Sequence, residues 1–348
     1  MRREKLIFIY PKLFTFIDTE KRLLSEEYDL LCLDQPWTNK IYLPINFIRQ
    51  FLFLVINIRR ADTILISFAG YWSLLPSLFG NIFNKRTAIV VHGTDCVDFS
   101  EINYGNLRYP IMRWFIKRSL QLVDIILPVS ESLVYTENTY YSSKMLRFGY
   151  SYHLEGIQTP YKVIPNGLLI EEWEGIDVPS KQEDTFISVM TNDQLIRKGA
   201  DIIVEAAAKL PDCKFYLAGA DSLSSIISNV PDNVILLGRL NPEDLKMWYN
   251  KTKFYLQLSN FEGFGVAICE AMLCHCIPIV SNVNYLPTII GETGFVLNQR
   301  DSEKLFHLIS SFRNNNLDDM GLLASERIKS KFHSGKRKEM LIQELKNR

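Results

Sequence analysis

The feature that most constrains this chain is an alternation of short apolar runs with helical patterns. It stops near residue 165 and starts again near residue 186. In the first half the apolar runs are Leu6–Tyr10, Asp29–Leu33, Thr63–Phe68, Thr87–Val91 and Asp124–Val129. Between them lie a helix capped by Asp18-Thr19-Glu20 and running to about Glu27, and helical patterns over about 46–58, 71–83 and 107–121. After the break, Phe186–Met190, Lys214–Ala218, Val234–Leu237, Phe254–Leu258 and Ile277–Ser281 repeat the theme, with helices at Ala200–Lys209, Pro242–Asn250 and 265–274. Short apolar strands separated by helices predict βαβ units and a parallel sheet. Two such series predict an α/β chain of two tandem Rossmann-like, doubly wound domains facing across a cleft, with ligands at the carboxyl ends of the strands.

The expected N-terminal domain is 1–166 and the C-terminal domain 167–333, with a basic helix over 334–348 packing back on the first. Val163-Ile164-Pro165-Asn166-Gly167 reads as a strand end and turn, and the acidic stretch Glu171–Asp184, with Pro179, as the interdomain connection. A length of 348 residues suits two domains.

A formal net charge of zero argues against nucleic acid as the main partner. The basic clusters Arg59-Arg60, Lys85-Arg86, Lys117-Arg118 and Lys336-Arg337-Lys338 read singly as solvated faces, and together leave room for an anionic membrane surface. Ile41–Ile58 is the most apolar stretch, but Pro44, Asn46, Arg49 and Gln50 interrupt it, and a spanning helix needs about 20 apolar residues. It reads as a buried helix, with contact to a membrane or lipid-linked substrate as the sharper alternative. Leu6–Tyr10 is too short for a signal-peptide core. Cys32, Cys96, Cys213, Cys269, Cys274 and Cys276 form no CxxC pair and read as thiols in a reducing compartment. Cys274-His275-Cys276 lacks the second pair that a structural zinc requires. The expectation is a cytoplasmic protein, peripheral on the cytoplasmic face of a membrane.

The segment richest in chemistry follows the run Phe254–Leu258. Ser259-Asn260-Phe261-Glu262-Gly263-Phe264-Gly265 leads into a helix over Val266–Leu273. Two glycines at a strand-to-helix turn let the backbone approach a ligand. The amides of Phe264, Gly265 and Val266 then sit at a helix N-terminus, which suits phosphate. Glu262 falls at the mouth of that turn and Glu270 inside the helix, where carboxylates accept hydroxyls of a sugar or ribose.

This segment is similar to the E-x7-E signature of the family-4 retaining glycosyltransferases of GT-B fold, continued by Ala271-Met272-Leu273 and Ile277-Pro278-Ile279-Val280. Val90-Val91-His92-Gly93-Thr94-Asp95, Val129-Ser130-Glu131-Ser132, Ile164-Pro165-Asn166-Gly167, Arg197-Lys198-Gly199 and Gly238-Arg239-Leu240 resemble other segments of that family in the same order. The resemblance implies that Glu270 binds the nucleotide ribose, Glu262 contacts the donor sugar, Gly263, Phe264, Gly265 and Val266 hold sugar hydroxyls and diphosphate, and Arg239 and Leu240 meet the base. It implies that His92 approaches the transferred sugar, and that Lys198, aided by Arg197, neutralises the leaving diphosphate. His92, Glu262 and Lys198 are thus the expected catalytic residues.

Several positions depart from the family pattern, among them Tyr10-Pro11-Lys12-Leu13-Phe14, which replaces a glycine-rich turn. Asn192 and Asp193 stand where an Arg is usual, Cys276 replaces a Gly, and Thr288 follows Pro287 where a Glu is common. The implied reaction moves a hexose-type sugar from a nucleoside diphosphate sugar to a saccharide or lipid-linked saccharide, as in surface polysaccharide or glycolipid assembly. No cofactor is expected. No metal is expected either, since no Asp-x-Asp motif has the context to hold one. A sugar-nucleotide epimerase or hydrolase and a non-catalytic nucleotide-sugar binder are the competing readings. A nicotinamide enzyme is disfavoured because no GxGxxG follows an early strand.

Overall fold

The computed structural model describes residues 3–174, 181–313 and 315–347, so Pro179 and the middle of the acidic stretch lie outside the described residues. The first series is β1 (Lys5–Ile9), α1 (Thr15–Ser25), β2 (Asp29–Cys32), α2 (Leu43–Asn57), β3 (Thr63–Ser67), α3 (Leu74–Ile82), β4 (Arg86–Val91), α4 (Pro110–Leu122) and β5 (Ile125–Pro128). Then come a two-stranded pair, β6 (Thr136–Asn138) and β7 (Leu146–Phe148), and α5 (Tyr150–His153).

The second series is α6 (Ile170–Trp173), β8 (Gln182–Val189), α7 (Leu195–Lys198), α8 (Ala200–Ala207), β9 (Lys214–Ala218), β10 (Val234–Gly238), α9 (Pro242–Lys251), β11 (Thr252–Gln257), α10 (Val266–Leu273), β12 (Ile277–Ser281), α11 (Leu286–Ile290), β13 (Phe295–Leu297), α12 (Ser302–Phe312) and α13 (Asp318–Lys331). The chain closes with α14 (Ser334–Lys346).

Contacts divide the chain into two compact units. One comprises residues 1–136, 147–167 and 334–348, the other 137–146 and 168–333. The first holds a parallel sheet ordered β2-β1-β3-β4-β5, the second a parallel sheet ordered β10-β9-β8-β11-β12-β13. Both orders are doubly wound, and both reverse at a switch point: between β1 and β3 in the first unit, between β8 and β11 in the second. Each unit is a Rossmann-like domain. The runs Leu6–Phe8, Ile64–Ile66 and Ala88–Val90 are wholly buried along both faces, as parallel strands covered by helices must be.

Three local readings of the sequence are corrected. Helix α1 begins a turn before Asp18, with Phe14 at its N-cap and no side-chain cap. The predicted connection is partly ordered structure, since 170–173 is helical and 182–184 is strand. Arg337, placed by the sequence on a solvated face, is only 5% exposed. Its Nε donates to Glu20 at 2.8 Å, one terminal nitrogen adds a shorter bond to the same oxygen, and the other reaches the Ile164 and Pro165 carbonyls. Glu20 lies on α1 and Arg337 on α14, so this pair clamps two helices on one face of the first sheet.

Helix α2 also departs from its reading as a buried helix. Its buried stripe is Asn46, Gln50 and Leu54, whereas Ile45, Ile48, Leu52 and Ile56 face solvent. Of the polar residues that interrupt the apolar run, Asn46 and Gln50 are turned inward and Arg49 outward. Asn46 donates to the Pro36 carbonyl and Gln50 to the Trp72 carbonyl. Among the described residues no helix is long and apolar enough to cross a membrane.

Candidate functional site

The switch point of the second sheet puts the carboxyl ends of β8 and β11 side by side. From β8 the chain enters α7, which ends at Lys198 and turns out through Gly199 at φ +76°. A Cβ at Gly199 would lie 2.6 Å from the Leu258 carbonyl oxygen, so only glycine lets this turn press against the end of β11. Asn260, just past β11, locks the contact. Its amide donates to the Arg197 carbonyl at 2.7 Å and its side chain to the Ile196 carbonyl at 2.9 Å, taking up orphan acceptors of α7. Arg300 holds the Asn260 side-chain oxygen at 2.9 Å and pairs with Asp201 at 2.6 Å.

This brings Glu262 onto Lys198. The carboxylate Oε2 accepts from Lys198 Nζ at 2.8 Å, Gln257 Nε2 at 2.8 Å and Ser259 Oγ at 3.1 Å, with Arg197 at 3.6 Å. The Glu262 amide donates to Asn284 Oδ1 at 3.1 Å. Burial alone would raise the Glu262 carboxyl, but the Lys198 and Arg197 charges and the hydrogen bonds outweigh it and hold it at about 2. Lys198, only 8% exposed, is lowered by the same burial, and the Glu262 charge opposes that shift. One carboxylate and two cations leave this corner with net positive charge.

Beside it, Gly265 takes φ +112° and opens α10. Among the described residues nothing accepts from the amides of Phe264, Gly265 and Val266. The Phe264 ring is buried against Tyr285 and Phe332, so this residue offers the site its backbone only. The carboxyl of Glu270, one turn into α10, has no hydrogen-bond partner among the described residues. Burial, seconded by the Glu172 charge, raises its carboxyl to about 7. The corner therefore offers unsatisfied amides at a helix N-terminus, a local positive charge and an idle carboxyl. Those are the elements that take up an anionic diphosphate and a hydroxyl-bearing group.

Arg239 and Leu240 follow β10, three strands from β11, or roughly 14 Å at about 4.8 Å per strand. Arg239 is exposed and unpaired among the described residues. Asn192 serves another purpose: its Oδ1 accepts the Asp221 amide at 3.0 Å and so tethers the loop after β9.

His92 ends β4 in the first unit. Its Nε2 sits 2.9 Å from Ser67 Oγ, at the end of the neighbouring strand β3, and its ring packs on Phe68 and Phe16, with centroids at 4.3 and 5.0 Å. Asp95 fixes the turn by accepting the Ala69, His92 and Gly93 amides at 2.9, 3.1 and 2.9 Å. Burial, with Arg337 adding to it, drives the imidazole well below its usual range, so it is neutral at pH 7.

Sequence reasoning did not single out Gln257, Ser259, Asn260, Asn284, Asp201 or Arg300 as site residues. Asn260 stood inside the quoted loop and Asn284 inside a turn. Nothing local to Arg300 marked it.

A family model described as glycosyl transferases group 1 matches residues 171–329. Among curated proteins, the chain is 35% identical over 78 residues to the O-antigen chain mannosyltransferase B of Escherichia coli, a match covering 22% of this chain and 20% of that protein. The first three curated relatives are matched over only 20%, 28% and 30% of their own lengths. Among solved structures, the sucrose-phosphate synthase of Thermosynechococcus elongatus aligns over 98% of both chains, at TM-score 0.75 and 15% identity. The Anabaena protein Alr3699/HepE, solved in complex with UDP and glucose, aligns over 100% of both chains, at TM-score 0.70 and 13% identity. At these identities the structural likeness speaks for the fold, which is GT-B.

Proposed function

Residues 171–329, just under half of the chain, belong to the glycosyl transferases group 1 family, and from that premise we propose that the whole chain moves a hexose-type sugar from a nucleoside diphosphate sugar to a saccharide or lipid-linked saccharide. The observation that carries this reading is the Lys198–Glu262 pair set beside the open amides of α10. Departure of the sugar leaves three negative charges on the diphosphate, one more than the donor carried. Lys198, Arg197 and the amides of Gly263 to Val266 neutralise them in place, with no charge to reorganise. These cations take the part that a metal takes elsewhere, so the reaction is metal-independent and needs no cofactor.

Glu262, held ionised by its neighbours, orients the donor sugar's hydroxyls, and Glu270 accepts the ribose diol. Arg239 and Leu240 meet the base. His92 supplies a neutral imidazole to the transferred sugar. The anomeric configuration is retained, and the acceptor is presented at the cytoplasmic face of an anionic membrane, to which the protein binds peripherally. An O-antigen mannosyltransferase among the relatives fits such an acceptor.

A panel of UDP-, GDP- and ADP-sugars in a thermal-shift assay tests the donor half. A bound donor raises the melting temperature by mass action, worth about 2.7 kcal/mol at a hundred times Kd. Silence across the whole panel, with no transfer to any acceptor, sinks the reading. The anomeric configuration of the first product, read by proton NMR, decides retention.

A further inference from the structure

The outer helix layer of the first unit has an inverted character. Helices α2, α3 and α4 lie side by side on one face of the sheet, and α1 with α14 lies on the other, as right-handed crossovers require for this strand order. Among the described residues 24 large hydrophobic side chains are exposed, and 14 of them fall between Ile41 and Trp114. Ile45, Ile48, Leu52, Val55 and Ile56 run along α2 at helical spacing, while its polar Asn46 and Gln50 are turned inward and spent on backbone carbonyls. Ile82 continues the surface at the end of α3, and Ile111 and Trp114 on α4, at 63, 68 and 52% exposure. Monomeric proteins rarely leave contiguous apolar surface beyond a few hundred Å².

The charges on this layer have one sign. Residues 35–61, 63–94 and 102–123 contain no Asp or Glu, in a chain that carries 39 acidic residues in 348. Of the cations there, Arg49, Arg59, Arg60, Lys85, Lys117 and Arg118 make no ion pair among the described residues, whereas Arg86 pairs with Glu344 and Arg113 with Asp98. Arg49 rises from the middle of the apolar stripe, one turn from Ile45 and from Leu52. Next to Trp114, a cleft of about 580 Å³ is lined by Arg108, Arg113 and Lys117 and by the acids Asp98 and Glu155, with Asp98 paired to Arg113 at 2.7 Å.

A protein partner or a second copy would be matched by a surface of mixed charge. Apolar side chains interleaved with unpaired cations, on helices that themselves carry no acid, match a bilayer whose headgroups are anionic. Isoleucine and leucine enter the acyl boundary, the indole of Trp114 sits at headgroup depth, and Arg49 and Lys117 extend along their stems to the phosphates. We infer that the α2–α3–α4 face is the surface by which this protein docks on an anionic membrane, with Arg49, Lys117 and Arg118 meeting lipid phosphates. This deepens the membrane-side acceptor proposed above and rests on it for purpose, but vesicle binding succeeds or fails independently of donor binding.

The test is co-sedimentation of the full chain with vesicles of equal parts phosphatidylglycerol and phosphatidylcholine, against phosphatidylcholine alone. The wild type is expected to bind the anionic vesicles at low salt and to leave them at about 1 M salt, where the Debye length falls to about 3 Å. I48E/L52E/I56E is expected to lower partitioning at least about tenfold, and R49E/K117E by about tenfold. I48S/L52S/I56S replaces the first variant if its melting curve shows unfolding. Brominated lipid should quench vesicle-bound wild type and quench W114F less. No binding of wild type to anionic vesicles, undiminished binding by both triple variants, or quenching unchanged in W114F overturns the proposal. So does light scattering that shows a dimer dissociated by the triple variant, which would make the face a contact between copies.

Discussion

The two Rossmann-like units put a chemically capable side chain at the same place, the carboxyl end of a strand near the switch point, and give it opposite electrical fates. In the first unit His92 ends β4 among Phe68, Phe16 and Ser67 and is kept neutral by burial. In the second unit Glu262, past β11, is also sheltered but meets Lys198 and Arg197, and is kept charged down to about 2. Glu270, in the same turn but out of reach of the cations, is raised to about 7. Topology fixes where a group sits, and the first few neighbours decide whether it carries charge.

The largest effect expected from breaking this contrast is on Lys198. Lys198→Ala removes the cation that both ionises Glu262 and meets the diphosphate, and should lower kcat about 10²–10³-fold in a transfer assay. Rates close to wild type would detach Lys198 from the chemistry. Replacing His92 by Phe keeps an aromatic ring beside Phe68 while removing the ring nitrogens. It should cost roughly 10²-fold in kcat, and the wild-type rate should show no inflection near pH 6.5, because the neutral imidazole does not titrate there. An inflection near 6.5 that disappears in the Phe variant would refute the neutral state.

Stability against pH sharpens the contrast between the two glutamates. Glu262 is depressed from 4.5 to about 2, so its stabilisation is present above 4.5 and is lost as pH falls toward 2. Glu270 is raised from 4.5 to about 7, so the fold keeps a proton that the unfolded chain releases. Stability then declines as pH rises from 4.5 to 7. Each limb is on the order of 3 kcal/mol. Urea titrations of Glu270→Gln should lose the upper limb alone, and those of Glu262→Gln the lower limb alone. Smallest of all, Arg239→Ala should raise the donor KM by only a few-fold, since an exposed charge is worth about 0–1 kcal/mol. A hundredfold rise would put Arg239 in the machinery.

Much of the framework was legible in the sequence. The strands of both sheets except β13 appear as apolar runs, because parallel strands covered on both faces have no polar side to hide them. Strand β13 is three residues long. Strands β6 and β7 are equally short, so periodicity marked none of the three. Helix α12 did carry a signal, since Asp301 caps its Lys304 amide. The site loop was legible because glycine and carboxylate positions are local. The charge state of Glu262 was not, because Lys198 lies 64 residues away and their meeting depends on Gly199 and Asn260. Charge arithmetic likewise misread Lys336-Arg337-Lys338, where one member of a basic triplet is buried against Glu20.

That last pair has a consequence for how the protein comes into being. Glu20 leaves the ribosome before Arg337, which follows it by 317 positions. Until Arg337 is made, the Glu20 carboxylate of the first unit lacks its guanidinium partner, while the second unit has all its residues before α14 emerges. Birth order and assembly order are therefore reversed: the half of the molecule that is made first is the half that is finished last.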